Sequence, residues 1–284
     1  MVSIQNITFS NNRKQPLFHG LNIELQPGCI YGLLGRNGAG KTSLLRLMSG
    51  LLFPQQGRCQ VKQHDPVRRT PEFLQEVFFI PEEFDLPPVR ICDYMRINAP
   101  FYPKFDYAQF KAHLQEFDLD ENLQMNRLSH GQKKKAFACF ALATNTALLI
   151  MDEPTNGLDI PSKAQFRRLI AAAMNENRVV IVSTHQVRDL DQIIDPIIIL
   201  DKSQVLVHAS VEEIGNCLQF STVSHLSEVG QEIIYSESGV RGISVVTPAN
   251  EDSNGRVDVE MLFNAALHQP ETIRQLLHPS KQLR

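Results

Sequence analysis

No stretch of this 284-residue chain is long and apolar enough to cross a bilayer. The apolar runs, such as 197–200, fall far short of the roughly 20 residues a spanning helix needs. Neither sign of charge is in excess. Lys and Arg number 28 against 31 Asp and Glu, a net charge of −3, which implies no global pull toward nucleic acid or anionic lipid. The cysteines show no pairing pattern. Cys29, Cys59, Cys92, Cys139 and Cys217 have no metal-type spacing and read as reduced core residues of a cytosolic protein. A basic-then-apolar leader is missing as well, since Met1-Val2-Ser3-Ile4 runs straight into a strand pattern. No short-period repeat is visible, and the span 42–128 carries no heptad insertion. A chain of this length forms one large or two modest domains and buries about three quarters of its surface.

What is present is a phosphate cradle. Gly35-Arg36-Asn37-Gly38-Ala39-Gly40-Lys41-Thr42, with Ser43 next, fits G-x-x-x-x-G-K-[ST] at every fixed position. The segment 29–34 before it is apolar and predicts a buried strand. The segment 42–49 after it, with Leu44, Leu45, Leu47 and Met48, predicts a helix. On such a strand–loop–helix turn, glycines let backbone N–H groups converge on phosphate oxygens, and the helix N-terminus adds a favourable dipole. Lys41 would reach the β/γ-phosphates and the Thr42 hydroxyl would ligate Mg²⁺. The expected ligand is a nucleoside triphosphate.

Four further segments carry chemistry. Leu148-Leu149-Ile150-Met151 is apolar and β-capable, so Asp152 lies at the carboxyl end of a buried strand, the edge where ligand chemistry collects in open α/β sheets. Asp152 can hold Mg²⁺ there, and Glu153 can polarise an attacking water as general base. Ser129 precedes a helical run that begins His130-Gly131-Gln132 and is a plausible N-cap. Thr155-Asn156-Gly157-Leu158-Asp159 follows the acidic pair. His185 ends the buried run Val179-Val180-Ile181-Val182-Ser183-Thr184. The triplet Lys133-Lys134-Lys135 reads as a solvated helix face.

Taken in order over roughly residues 2–214, these segments resemble the Walker A, signature, Walker B, D-loop and switch-histidine motifs of the ATP-binding cassette (ABC) family. The resemblance implies an α/β P-loop ATPase core at 1–214, with an antiparallel β-subdomain and a helical signature subdomain at about 83–145. A small α+β accessory domain would follow at 215–284. It implies that Ser129, His130, Gly131 and Gln132 meet the γ-phosphate of ATP held by a second protomer. His185 would sense the γ-phosphate, and Asp159 would close the D-loop. The cofactors implied are ATP and Mg²⁺. The partners implied are a second ATPase subunit, as homodimer or heterodimer, and integral membrane permease subunits in separate chains. The chain would sit on the cytoplasmic face of the cell membrane. The stretch Phe101-Tyr102-Pro103-Lys104-Phe105-Asp106 is similar to the bacterial efflux-type branch. A soluble ABC ATPase acting on the ribosome or on DNA is the alternative. Such proteins usually pair two cassettes in one chain or carry a long heptad insertion, and neither is found here.

Three departures from the family pattern stand out. His130 replaces a glycine. Glu82 stands where a Mg²⁺-contacting glutamine is usual, and its carboxylate still suits Mg²⁺. Asn11 falls where an aromatic usually stacks on adenine. Residues between Phe84 and Met95 are expected to form an exposed apolar groove for the permease. Past 215, strands are expected at 232–235 and 243–246 around a turn-rich 236–241, then a strand and helices across 257–277.

Overall fold

Strands with one wet face open the chain. The computed structural model describes residues 1–10, 16–186, 189, 192–250 and 255–277. In chain order the elements are β1 (Val2–Phe9), β2 (Phe18–Leu25), β3 (Ile30–Gly35), α1 (Lys41–Met48), β4 (Gln56–Val61), α2 (Pro71–Leu74), β5 (Val77–Ile80), α3 (Ile91–Asn98), α4 (Tyr107–Glu116), α5 (His130–Ala143) and β6 (Leu148–Asp152). There follow α6 (Ile160–Ala172), β7 (Val179–Thr184), β8 (Ile197–Asp201), β9 (Gln204–Ala209), α7 (Val211–Cys217), β10 (Leu218–Val223), β11 (Tyr235–Gly239), β12 (Gly242–Pro248), α8 (Val259–His268) and α9 (Pro270–Leu277). Contacts divide the chain into two units. The first joins Met1–Tyr31 to Lys41–Thr184, and the second joins Gly32–Gly40 to His185–Arg284.

In the first unit β2, β1 and β4 form an antiparallel sheet in that order. β2 buries Phe18, Leu21, Ile23 and Leu25 and exposes residues between them, the alternation of a half-buried strand. β5, β6 and β7 pair in parallel, with Val77 opposite Leu148 and Leu148 opposite Val179. β6 and β7 are buried at every position, as a covered parallel sheet requires. α3, α4 and α5 form the helical part of this unit, and aromatic rings hold it together. Phe140 of α5 lies 5.2 Å from Tyr94, 5.1 Å from Phe105 and 5.8 Å from Phe78, centroid to centroid. Arg178 is fully buried and donates to the carbonyls of Ala141, Leu142 and Ala173. It therefore caps the carboxyl ends of α5 and α6, where the helix dipoles favour a cation. Burial alone draws its guanidinium down to about 10.

The stretch expected to form a groove between Phe84 and Met95 is partly covered, with Phe84, Val89, Tyr94 and Met95 half-buried. Phe84 packs on Phe137 at 4.7 Å, Tyr94 packs on Phe140, and Leu86 and Ile91 are buried. The apolar side chains there serve the helical core, because α5 offers them a continuous aromatic face.

In the second unit β3 pairs in parallel with β8, Gly32 opposite Ile197 and Gly35 opposite Leu200, and β8 turns into antiparallel β9. β10, β12 and β11 form an antiparallel sheet in that order. Residues 236–241, read from composition as a turn, are mostly β11 and a tight hairpin that ends in the Gly239–Gly242 pair. The strand expected after 257 is instead helix α8, capped by the Asp258 carboxylate, which accepts from the Met261 N–H at 3.0 Å. β10 forms where no strand is expected, paired along its length with β12. α8 packs on β11 and β12 and also on β8 and β9, while α9 packs on β9 and α7. Packing in this unit is therefore continuous through position 214.

Candidate nucleotide site

The cradle begins where β3 ends. Gly35 has no room for a side chain, since a Cβ there would sit 2.5 Å from the Leu200 carbonyl oxygen. The loop then turns over itself, with the Ala39 N–H donating to the Arg36 carbonyl at 3.1 Å. Gly38 has φ +82° and Gly40 φ +103°, a region open to glycine at little cost. Arg36 and Asn37 are exposed, Ser43 is half-buried, and α1 starts at Lys41. The first amide groups of that helix have no intrahelical acceptor, so an anion is favoured at the loop.

Across the first unit, β6 delivers two carboxylates. Asp152 and Glu153 are both buried. The Thr42 hydroxyl donates to Asp152 Oδ2 at 2.7 Å, and the Ser183 hydroxyl donates to Asp152 Oδ1. Both carboxylate oxygens are thus oriented by hydroxyls from α1 and β7. Glu153 adopts φ +47°, a left-handed backbone that costs a non-glycine residue about 1–2 kcal/mol. It is pinned there because its N–H donates to the Ser183 carbonyl at 3.1 Å and to the Ser183 hydroxyl at 3.2 Å. Lys41 is buried, and desolvation draws its ammonium below the usual lysine range, while Glu153, Asp152 and Glu82 pull it back up. Glu82 is half-buried and accepts from Asn156 Nδ2 at 3.2 Å.

Lys134 differs from the expectation of a solvated face shared with Lys133 and Lys135: it is 4 % exposed. Its Nζ donates to the Glu153 carbonyl at 2.9 Å. Desolvation lowers its ammonium, with Glu82, Glu153, Asp152 and Glu83 acting in the opposite sense. The signal was in the helical spacing. Residues 134, 138 and 141 share one face, and Ala138 and Ala141 are buried. Lys133 and Lys135 are only half-buried, and Lys135 lies over the Phe117 ring at 5.4 Å.

Ser129 is the N-cap of α5. Its hydroxyl accepts from the Gln132 N–H at 3.3 Å, and the Gln132 side chain accepts from the Ser129 N–H at 3.0 Å, a complete capping box. Ser129, His130 and Gln132 are exposed. His130 lies against the D-loop, where a Cβ on Gly157 would come within 2.9 Å of its ring. Asp159 caps α6 by accepting from the Ser162 N–H at 2.8 Å. His185 opens the second unit directly after β7 and is exposed. Asn11 lies outside the described residues. Phe9 and Phe18 are buried against each other with centroids 6.4 Å apart, so neither faces a base. With the phosphate cradle as the main contact, ATP and GTP are expected to bind within about fivefold of each other in a competition titration, because base-blind contacts give base-blind affinity.

Within the first unit the buried Lys41, the Thr42 hydroxyl and the Asp152–Glu153 edge carry the chemistry of a phosphate-handling P-loop protein. Comparison with known proteins gives the particular family. The family model described as ABC transporter matches residues 18–156. A cobalt import ATP-binding protein of Salmonella paratyphi A is 30% identical over 218 residues, which cover 72% of this chain and 79% of that protein. The Nod factor export ATP-binding protein I of Cupriavidus metallidurans is 26% identical over 275 residues, covering 92% and 88%. The solved ATP-binding subunit of an ABC transporter superposes with a TM-score of 0.69 at 21% identity, covering 75% of this chain and 91% of that one. The dimeric post-hydrolysis cassette MJ0796 with ADP and Pi superposes with a TM-score of 0.65 at 20% identity, covering 74% and 98%. The chain belongs to the ABC transporter family of ATP-binding subunits and is an ATPase. Its fold is the α/β cassette core with an antiparallel β-subdomain, a helical subdomain and a small C-terminal α+β part.

Proposed function

We propose that two ATPase subunits, either two copies of this chain or this chain with a related one, close around ATP and thereby drive integral membrane permease subunits encoded separately. Among the described residues no helix is long and apolar enough to span a membrane, which agrees with a peripheral subunit at the cytoplasmic face. The observation that carries hydrolysis is the oriented pair at the end of β6. Asp152 is held by Thr42 and Ser183, and Glu153 is fixed one residue beyond. In this reading Arg36 to Ser43 cradle the phosphates, Lys41 binds the β/γ-phosphates, and Glu153 holds and polarises the attacking water as base. Ser129, His130, Gly131 and Gln132 complete the partner's site, Asp159 shapes the D-loop, and His185 senses the γ-phosphate.

Mg²⁺ fits the donor set. Thr42 and Asp152 place hydroxyl and carboxylate oxygens 2.7 Å apart, and hard oxygens suit this ion. Among the described residues no group of three His, Cys, Asp or Glu forms a metal cage, as expected for an ion that keeps its waters and substrate phosphates. Thr42 and Asp152 would hold it, with Glu82 close enough in charge to Lys41 to add to the same field. When bound, it would neutralise charge on the β- and γ-phosphoryl oxygens.

We infer that a permease helix docks on a different surface of the first unit from the stretch between Phe84 and Met95. A cleft of about 600 Å³ in the first unit is lined by Leu51, Leu74, Val77, Phe79, Phe101 and Tyr102 among others. Leu51 is 48% exposed, Leu74 39% and Phe101 65%. Clustered exposed apolar side chains mark a partner surface, and an amphipathic helix laid in such a groove is a recurrent mode of recognition. Phe101→Asp is expected to abolish co-purification of the permease that accompanies the wild-type chain, with ATP affinity changed less than about twofold, since no residue lining this cleft comes from the 35–43 cradle. Leu86→Asp, by contrast, places a carboxylate in the helical core and is expected to lower Tm. Retention of the permease by a folded Phe101→Asp protein sinks the groove assignment.

A further inference from the structure

We propose that Lys134 is a positioning residue for hydrolysis: its buried ammonium fixes the Glu153 peptide and supplies the resident positive charge facing Glu82, Asp152 and Glu153. This rests on the reading of Glu153 as base. No motif assigns Lys134 a role, and its two lysine neighbours are not buried.

Geometry comes first. A lysine that is 4 % exposed has left nearly all of its hydration behind, which is costly unless the charge finds partners. The partner it reaches directly is a backbone carbonyl, that of Glu153, at 2.9 Å. That carbonyl belongs to the residue with φ +47°, so the hydrogen bond falls on the strained peptide itself. β7 holds the other side of the same residue through Ser183. Glu153 is therefore clamped between β7 and α5. The Asn156 N–H also donates to the Glu153 carbonyl at 3.2 Å, which ties the following turn to the same point.

Charge balance gives the second argument. Glu82, Asp152 and Glu153 act on both Lys41 and Lys134. These carboxylates are carried by the 80–83 segment and the end of β6, and the two ammonium groups come from α1 and α5. When a triphosphate enters the cradle, Lys41 is drawn to its oxygens. Lys134 then remains as the protein's own counter-charge to the carboxylates. It also links them to α5, the helix whose first residues form the signature. A shift of α5 moves the Lys134 ammonium, and with it the Glu153 carbonyl. The start of α5 and the base thereby share one rigid contact.

The hydrogen bond and the charge make separable predictions. Methionine keeps the length and apolar stem of lysine and removes its charge and donors. In the nucleotide-free protein, Lys134→Met is expected to lower Tm by at least about 4 °C. Adding Glu82→Gln removes the carboxylate that acts most strongly on Lys134, and is expected to restore at least about half of that loss, as coupled neighbours do in a double-mutant cycle. In turnover assays Lys134→Met is expected to lower kcat at least about tenfold with KM for ATP changed less than about twofold, the split of an interaction realised in the transition state. Lys134→Arg keeps charge and donors and is expected to fall between wild type and Lys134→Met. A folded Lys134→Met protein with wild-type kcat overturns the positioning role. A Lys134→Met/Glu82→Gln protein no more stable than Lys134→Met overturns the charge role. If Lys134→Met does not fold, the same comparison is made with Lys134→Gln, where lack of rescue by Glu82→Gln again overturns it. The Tm cycle needs no hydrolysis, so it stands or falls separately from the assignment of Glu153.

Discussion

Glu153→Gln lowers ATP turnover at least about 10²-fold and leaves ATP binding in place, because a general base contributes on the order of 10²–10⁴ in rate and little to ground-state binding. The structure explains why so small a change suffices. Gln is nearly isosteric, so the buried pocket, the left-handed backbone and the hydrogen bonds of the Glu153 peptide to Ser183 and Lys134 all survive. What is lost is the acceptor for the proton of the attacking water. With closure intact and hydrolysis blocked, the ATP-bound dimer accumulates. Size exclusion with ATP is therefore expected to show a dimer peak for Glu153→Gln that is weaker or missing in the wild type under turnover. Removing one carboxylate from the field of Glu82, Asp152 and Glu153 also reduces repulsion toward phosphate. ATP affinity is expected to stay equal or rise. Wild-type turnover in this variant removes Glu153 from the base role and with it the reading of the β6 edge.

The parts of this site that could be read from sequence are those whose chemistry constrains residue type. A cradle needs glycine where a side chain would strike Leu200, so Gly35 is visible as a letter in a motif. A covered parallel strand needs an unbroken apolar run, so β6 and the acidic pair at its end are visible too. The parts that could not be read depend on facing partners. Lys134 looks like its neighbours until α5 is docked, and only then does one of three lysines turn inward. Tyr235–Gly239 is rich in Ser and Gly, yet β12 supplies a ladder from Tyr235↔Val246 to Gly239↔Gly242 that overrides local preference. The 84–95 stretch looks like an exposed apolar groove because sequence cannot show the rings of Phe137 and Phe140 waiting for it. The cleft that is open draws instead on residues from 49 to 102, a set with no local pattern to betray it.

Ser129→Asp is expected to abolish hydrolysis while leaving the isolated subunit intact. The reasoning turns on the two jobs given to Ser129. One is local: its hydroxyl caps α5 within the same chain. Aspartate is as good an N-cap as serine, whereas alanine there would cost about 0.5–2 kcal/mol. The α5 helix and its Phe137 and Phe140 ring contacts are therefore retained, and Tm should move by less than about 2 °C. The proposed second job lies across the dimer, where the exposed start of α5 meets the γ-phosphate of the partner's ATP. A carboxylate placed there confronts like charge in a closing, desolvating interface, where such juxtapositions cost several kcal/mol. Closure should fail, and turnover should fall by at least about 10²-fold, the scale of losing a preorganised contact to developing charge. ATP binding to the monomer should be unchanged, because the cradle from Gly35 to Ser43 is untouched. Ser129→Asp in the Glu153→Gln background should also erase the ATP-dependent dimer peak. That double variant separates capping from recognition. If Ser129 only caps its helix, aspartate replaces it without loss and the dimer persists with full activity in the otherwise wild-type chain. If the start of α5 receives phosphate from a second subunit, the same conservative cap is fatal to closure.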